Sequence, residues 1–374
     1  MIGNSEVAMN KISSGEERIE CRPSESFASW LSRLNGTLVV TTYQAGKVAL
    51  LGWRGDRLSV LMRQFNKPMG LAVSPGRMAL ATRHEITLFF NDPLLARDLV
   101  VSEPGKYDAL YLPRATYHTG DLNVHDVAFA EDGLWFVNSR FSCLSALSKD
   151  FSFVPRWKPP FISKIVPEDR CHLNGLAVVA GKPRFVTALG ESDSVGGWRA
   201  AKATGGILID VESNSVLLRG LSMPHSPRWH QGRLWLLNSG AGELICFDPQ
   251  RGASSVVCVL PAYLRGLSLI GQFAVVGMCQ IREQHIFGGL PIQQKYGNLM
   301  AGLAVIDLSS GSLVGTFEFT SGCTEIYDVH FLPGIRHGNI LNSLDDTSRQ
   351  AFTAPEFSYW LRPENLTSEK PLKG

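Results

Sequence analysis

The chain has 374 residues, 44% of them hydrophobic, with 36 glycines, 20 prolines and a formal net charge of +2. That is ample apolar content for a core, in a turn-rich composition that suits many short strands. A nearly balanced charge without any Lys/Arg cluster argues against nucleic acid and membrane surfaces as partners.

Residues 1–23 are polar and aperiodic and read as a flexible N-terminal arm. Ser24 to Leu34 follows, with Phe27, Trp30, Leu31 and Leu34 on one helical face, so a short amphipathic helix is predicted. Gly36 to Trp53 reads as two strands around the turn Tyr43-Gln44-Ala45-Gly46-Lys47, and Leu58 to Phe65 as a third. From there a unit recurs: a polar loop, a short apolar strand, a tight turn and a second strand. Met69-Gly70-Leu71-Ala72-Val73, Val124-His125-Asp126-Val127, Cys171-His172-Leu173-Asn174-Gly175-Leu176, Met223-Pro224-His225-Ser226-Pro227, Arg265-Gly266-Leu267 and Tyr327-Asp328-Val329 open successive copies. Taking Gly70, Asp126, Gly175, Pro227, Gly266 and Asp328 as equivalent, the intervals are 56, 49, 52, 39 and 62 residues. Leu234-Trp235-Leu236-Leu237-Asn238-Ser239 repeats the pattern of Leu134 to Ser139, two copies earlier. Such a period means one supersecondary unit per repeat.

The last copy has an inner strand, Tyr327 to Leu332, with too little chain after it for a full unit. The first has three strands and no inner one. Pairing the two ends closes a ring and leaves no long unpaired edge. The predicted fold is therefore all-β, a six-bladed β-propeller over residues 24–341 with a short leading helix. Residues 342–374 form a C-terminal tail whose Trp360-Leu361 is expected to dock on the body. Sandwiches leave the even spacing unexplained, and β-helix coils are shorter.

In a propeller the loops entering the inner strands open on one face with those joining the second and third strands, and ligand sites gather there. The first set supplies His125, His172, Asn174, His225, Arg265, Glu325 and Tyr327, and the second Tyr43, Arg140, Trp198, Arg199 and Arg282. His125, His172 and His225 are the candidate catalytic residues. Together with Glu325 the three histidines make a candidate ligand set for a divalent metal (Zn, Fe or Ca). The bland alternative is that the histidines tie loops together. Guanidinium groups suit a carboxylate or phosphate, so Arg199, Arg282 and Arg140, with Trp198 and Tyr43, are the candidate substrate-binding residues. The glycine-rich stretch 190–206 is long enough to fold over the mouth as a lid. A small polar, anionic ligand is expected, with a peptide or glycan as the alternative occupant. The seven cysteines lack any C-x-x-C pair and read as small buried thiols in a reducing compartment. Neither a signal peptide nor an 18-residue apolar run is evident, so the expected location is the cytoplasm.

Two resemblances follow from these motifs. Thr42-Tyr43-Gln44-Ala45-Gly46-Lys47, Phe153-Val154-Pro155-Arg156-Trp157, Gly196-Gly197-Trp198-Arg199, Met223-Pro224-His225-Ser226-Pro227-Arg228-Trp229 and Phe287-Gly288-Gly289-Leu290-Pro291-Ile292 resemble an uncharacterised bacterial conserved-hypothetical family, a domain of unknown function. More distantly, Leu173-Asn174-Gly175-Leu176-Ala177 and Gly232-Arg233-Leu234-Trp235 resemble the gluconolactonase/regucalcin-like six-bladed propellers. That resemblance implies a channel metal held by Glu, Asn and Asp, and hydrolysis of sugar lactones. Asn174 matches the Asn ligand, His225 stands where the Asp would be, His125 where a substrate-contacting Asn would be, and Tyr327 or Glu325 is nearest to the Glu. The functional expectation is a metal-assisted hydrolase or lactonase acting on a small anion, with a non-catalytic binding scaffold as the rival.

Overall fold

Runs of β-branched and aliphatic residues, broken by Gly- and Asp-bearing turns, pair into six antiparallel meanders in the computed structural model, which describes residues 18–281 and 288–362. From the channel outward, blade II is Leu71–Ser74, Arg77–Ala81, Glu85–Asn91 and Ala109–His118, and blade III is Val124–Ala130, Gly133–Asn138, Cys143–Ala146 and Val154–Trp157. Blade IV is Leu173–Val179, Lys182–Ala188, Gly206–Asp210 and Ser215–Leu221, and blade V is Pro224–His230, Arg233–Asn238, Glu243–Asp248 and Ala253–Val259. Blade VI is Tyr263–Ile270, Phe273–Cys279, Gly302–Asp307 and Leu313–Ser321. Blade I joins Gly36–Thr42, Lys47–Arg54 and Arg57–Gln64 to the late strand Asp328–Pro333, with Thr41 opposite Asp328 and Thr37 opposite Leu332. The ring is closed from both ends of the chain.

Outer edges attract further strands. Glu20–Pro23, expected to belong to a flexible arm, instead pairs antiparallel with the edge strand Leu313–Ser321 of blade VI, where Arg22 meets Glu318 at 2.6 Å. Residues 1–17 lie outside the described residues. Gly338–Ile340 pairs in parallel with the edge strand of blade II, an addition without a counterpart among the sequence expectations. Covering an exposed edge in this way removes unpaired backbone groups. The tail then forms the hairpin Ala351–Ala354/Phe357–Trp360, and Trp360 Nε1 docks on the Leu95 carbonyl at 3.1 Å. Helix Glu25–Arg33 is capped by Ser24, whose hydroxyl accepts the Phe27 N–H at 3.1 Å. Its buried Phe27 and Trp30 rings lie 5.7 Å from Phe317 and 6.0 Å from Phe273, so the helix seals blade VI. No helix among the described residues is long and apolar enough to cross a membrane, and none of the seven cysteines is joined in a disulfide.

Adjacent blades join by two alternating devices. In blades I, III and V a polar side chain reaches forward: Asp328 accepts Leu71 N–H (3.1 Å), Asp126 accepts Leu176 N–H (3.0 Å) and Ser226 accepts Gly266 N–H (3.0 Å). In blades II, IV and VI a glycine lets the next blade close in. A Cβ on Gly70 would lie 2.9 Å from Asp126 Cα, one on Gly266 2.9 Å from Asp328 Cα, and one on Gly175 2.3 Å from Pro227 Cδ. Hydrogen bonding thus aligns Ser226, not Pro227, with Asp126 and Asp328. From blade V, Arg228 reaches Asp126 at 2.7 Å and Asp328 at 3.1 Å, tying the three odd-numbered blades together. Gly175→Ala would also press on Thr187 Oγ1, 2.5 Å from the added carbon. It is expected to cost about 1–3 kcal/mol, read as a lower urea midpoint at unchanged m-value. A midpoint equal to wild type would show that blades IV and V are not in register-limiting contact there.

Candidate functional site

The glycines and forward-reaching side chains fix two tiers of residues around the channel mouth. One residue before Gly70, Asp126, Gly175, Ser226, Gly266 and Asp328 stand Met69, His125, Asn174, His225, Arg265 and Tyr327. Three residues before them stand Lys67, Asn123, His172, Met223, Tyr263 and Glu325. His125, His225, Arg265 and Tyr327 from the first tier and all but Lys67 from the second line a cavity of about 250 Å3. Asp169, Trp198, Arg199, Cys279 and Tyr43 complete much of its wall. Lys67, Asn123, His172 and Met223 share a left-handed backbone, with φ of 50°, 55°, 49° and 48°. Such φ values are costly for non-glycine residues, so one loop shape is imposed on four blades.

Hydrogen bonding assigns the ring nitrogens. His125 Nδ1 lies 3.0 Å from the Asn123 carbonyl and 2.7 Å from Ser139 Oγ. A carbonyl only accepts, so this nitrogen carries the proton and Nε2 is the bare one. His225 Nδ1 is held in the same way, 2.8 Å from the Met223 carbonyl and 3.1 Å from Ser239 Oγ, so its Nε2 is also a lone pair. His172 Nδ1 faces both Asp169 carboxylate oxygens at 2.9 Å. Asp169 also accepts Trp198 Nε1–H at 3.1 Å, with Arg199 3.7 Å away. His172 Nε2 and His125 Nε2 then meet at 3.2 Å. A hydrogen bond between them requires a proton on His172 Nε2, balanced by the Asp169 charge.

Burial, followed by the nearby His172, Arg265 and His225, holds the proton affinity of His125 well below the ordinary imidazole value. Burial and then Arg265 do the same for His225. Both rings are neutral at physiological pH. Burial also pushes the Cys279 thiol up to about 12, and its sulfur sits 3.1 Å from the Ile326 carbonyl, so it stays a thiol. The half-buried Arg265 guanidinium stacks on Tyr327, 3.6 Å from the ring centroid. Burial alone would lower its proton affinity, but Tyr327, Tyr263, Cys279 and Glu325 around it more than reverse that and raise it. Among the described residues no carboxylate forms a salt bridge with Arg265, and the buried Tyr327 hydroxyl has no hydrogen-bond partner.

Residues 25–341 match the family described as Domain of unknown function (DUF4915). The chain belongs to that family. No curated protein matches it. Among solved structures it is similar to one described as a nidogen/laminin complex, at 11% identity and a TM-score of 0.51, over 80% of this chain and 99% of that one. It is also similar to a protein of unknown function from Bacteroides caccae, at 10% identity and a TM-score of 0.49, over 79% of this chain and 98% of that one. At such identities the first likeness concerns the fold alone. It is the propeller.

Within the DUF4915 span, His125, His172, His225, Trp198, Arg199, Tyr43 and Glu325 all reach the cavity. The three histidines are not equivalent, since His172 belongs to the upper tier and His125 and His225 to the lower. Asn174 does not line the cavity. It is buried, its Oδ1 takes the Thr187 hydroxyl at 2.6 Å, and its Nδ2 has no partner among the described residues. Arg140 also stands apart, bound through Nε to the Asp121 carbonyl and 3.3 Å from the Asp121 carboxylate. Arg282 lies outside the described residues. Among the described residues no group of three His, Cys, Asp or Glu side chains could hold a metal ion. The Glu-Asn-Asp oxygen set implied by the gluconolactonase/regucalcin-like resemblance is not assembled, because Asn174 is turned into its blade and a histidine occupies the Asp place. The glycine-rich stretch delivers Trp198 on the turn Gly197–Ala201, its ring 4.6 Å from that of His172.

Sequence reasoning passed over Asp169 and Tyr263. Asp169 stands three residues before His172, the one local signal that could have picked it out. Arg265 is one entry-loop residue among several in the sequence, with no local signal to set it apart.

Proposed function

We propose that the mouth cavity binds a small organic anion on Arg265 and exchanges protons with it through two unlike histidine systems. The observation that carries this is Arg265 itself, a guanidinium inside a 250 Å3 cavity with Tyr327 beneath it and no described carboxylate in salt-bridge contact. A carboxylate or phosphate supplies the charge-assisted hydrogen bonds that such a group lacks. His225 Nε2 is the base. The proton held between His172 and His125, with Asp169 behind it, is the acid. A bare ring nitrogen beside a ring that holds a proton supplies the two partners that acid–base catalysis needs. Binding an anion on Arg265 also cancels one cause of His225's weak basicity, so the substrate activates the base.

Lactone or ester hydrolysis is the reaction this couple serves best. Water gives a proton to His225 as its oxygen bonds to the carbonyl carbon. The leaving alkoxide takes a proton from the His172–His125 pair, and His225 returns the proton to that pair through solvent. One water is consumed, leaving an acid and an alcohol.

Calorimetric titration with a panel of small carboxylates and phosphate esters tests the anchor. Arg265→Gln is expected to weaken binding about 10- to 100-fold, the equivalent of roughly 1.5–3 kcal/mol for hydrogen bonds to a charged group. Unchanged affinity in that variant ends the reading. Stoichiometric zinc or iron in protein purified without an affinity tag would favour the metal-assisted alternative instead. The neutral His125 and His225 rings also suit simple hydrogen bonding to a ligand. Retained binding without turnover of any lactone or ester would favour that scaffold role.

A further inference from the structure

Of the twelve residues in the two tiers, Lys67 is the upper-tier member that faces a different space. It lines a second cavity, of about 610 Å3, whose walls also include Gln64, Asn66, Lys47 and Glu85. Tyr43 lines both cavities. On one side its ring lies 5.7 Å from Tyr327, beneath Arg265. On the other, Lys67 Nζ stands 3.5 Å from Tyr43 Oη and 5.0 Å from the ring centroid. Two cations therefore end a row of two phenols tilted 36° to each other, Arg265–Tyr327–Tyr43–Lys67, one in each cavity. Among the described residues Lys67 makes no salt bridge. The acid of the second cavity, Glu85, is turned towards His118 at 3.7 Å. Lys67 keeps this position on a left-handed backbone, φ 50°, a conformation that costs a lysine about 1 kcal/mol or more.

We infer that the ligand is an elongated small molecule with an anionic group at each end, one held by Arg265 in the mouth cavity and the other by Lys67 across Tyr43. The inference rests on the anion-holding role of Arg265 proposed above. Two charges on one chain gain affinity because the second contact becomes intramolecular, and they do so only when the chain length matches the span. A dicarboxylate or phosphonocarboxylate has that chemistry, and a monoacid of equal length has half of it.

The experiment is calorimetric titration of the full chain with straight-chain α,ω-dicarboxylates and phosphonocarboxylates of increasing length, each against its matched monocarboxylate. The wild type is expected to bind the best-fitting two-headed acid at least about 10-fold more tightly than its monoacid, with a clear optimum in length. Lys67→Met should remove that advantage and leave the monoacid unchanged. Methionine accepts the same backbone no worse than lysine, and a thermal melt checks that the fold is intact. Arg265→Gln should weaken both series. A flat length dependence, or two-headed binding indifferent to Lys67→Met, overturns the inference while an Arg265-dependent monoacid leaves the anchor standing. Absence of Arg265-dependent binding in both series overturns the two together.

Discussion

Arg228→Met is expected to be the most damaging single change in the ring, costing about 3–5 kcal/mol, because it strands two buried carboxylates. Asp126 and Asp328 are nearly inaccessible and each is already committed to backbone donors, Val127 and Leu176 N–H for one, Val329 and Leu71 N–H for the other. Those bonds assume a charged acceptor, and Arg228 supplies the counter-charge to both from blade V. Burial would lower the guanidinium's proton affinity, yet Asp126 and Asp328 more than reverse that and raise it. His330 Nε2, 3.2 Å from Asp328, can relieve only one of the two acids. Equilibrium urea denaturation measures the loss. The triple variant Arg228→Met/Asp126→Asn/Asp328→Asn should regain a substantial part of it, since a buried ion cluster is weak evidence for net stability while a broken one is costly. A loss under about 1 kcal/mol in the single variant would mean that water reaches the carboxylates.

That network marks where sequence reading stops. Repeat spacing and the complementary deficits at the chain ends were enough to predict six blades and their closure, because both are properties of local pattern. Helix Glu25–Arg33 was legible for the same reason, its apolar face and Ser24 cap lying within eleven residues. Arg228 was not. It sits inside a quoted motif, Met223 to Trp229, yet its partners are about a hundred residues away in either direction and meet it only once the ring has closed. Nor was the alternation of blades readable, since Ser226 departs from the pattern of Asp126 and Asp328 and the glycines opposite them also pass as turn residues. The histidines were found by their recurrence at the channel mouth. Their protonation was hidden, because it depends on which carbonyl each Nδ1 meets. Asn174 illustrates the converse: its motif suggested a ligand, and a threonine on the neighbouring strand holds its oxygen instead.

The same buried imidazoles should make the fold acid-sensitive in a defined window. His125 and His225 have folded-state proton affinities well below the ordinary value of 6.5, burial being the first cause for each. In the unfolded chain they protonate near that value. Above about pH 6.5 neither state takes up a proton and these groups leave stability flat. As pH falls below it, the unfolded chain binds protons that the folded chain refuses, so stability declines. Each histidine contributes a slope of up to about 1.4 kcal/mol per pH unit, and the two together about 2.7. His337, also lowered by burial on a different part of the ring, adds a smaller background. Denaturation midpoints between about pH 5 and 6.5, above the ordinary carboxylate range, should therefore fall steeply for the wild type and less so for His125→Gln/His225→Gln, while Asp126, whose proton affinity burial raises, is common to both proteins. Equal slopes would refute the neutral assignment of both rings. The charge that helps to suppress His225 belongs to Arg265, so an anion seated there should raise its proton affinity. Binding near pH 6 is then accompanied by proton uptake, seen as a calorimetric enthalpy that varies with the ionisation enthalpy of the buffer, and His225→Gln should abolish the part due to that ring.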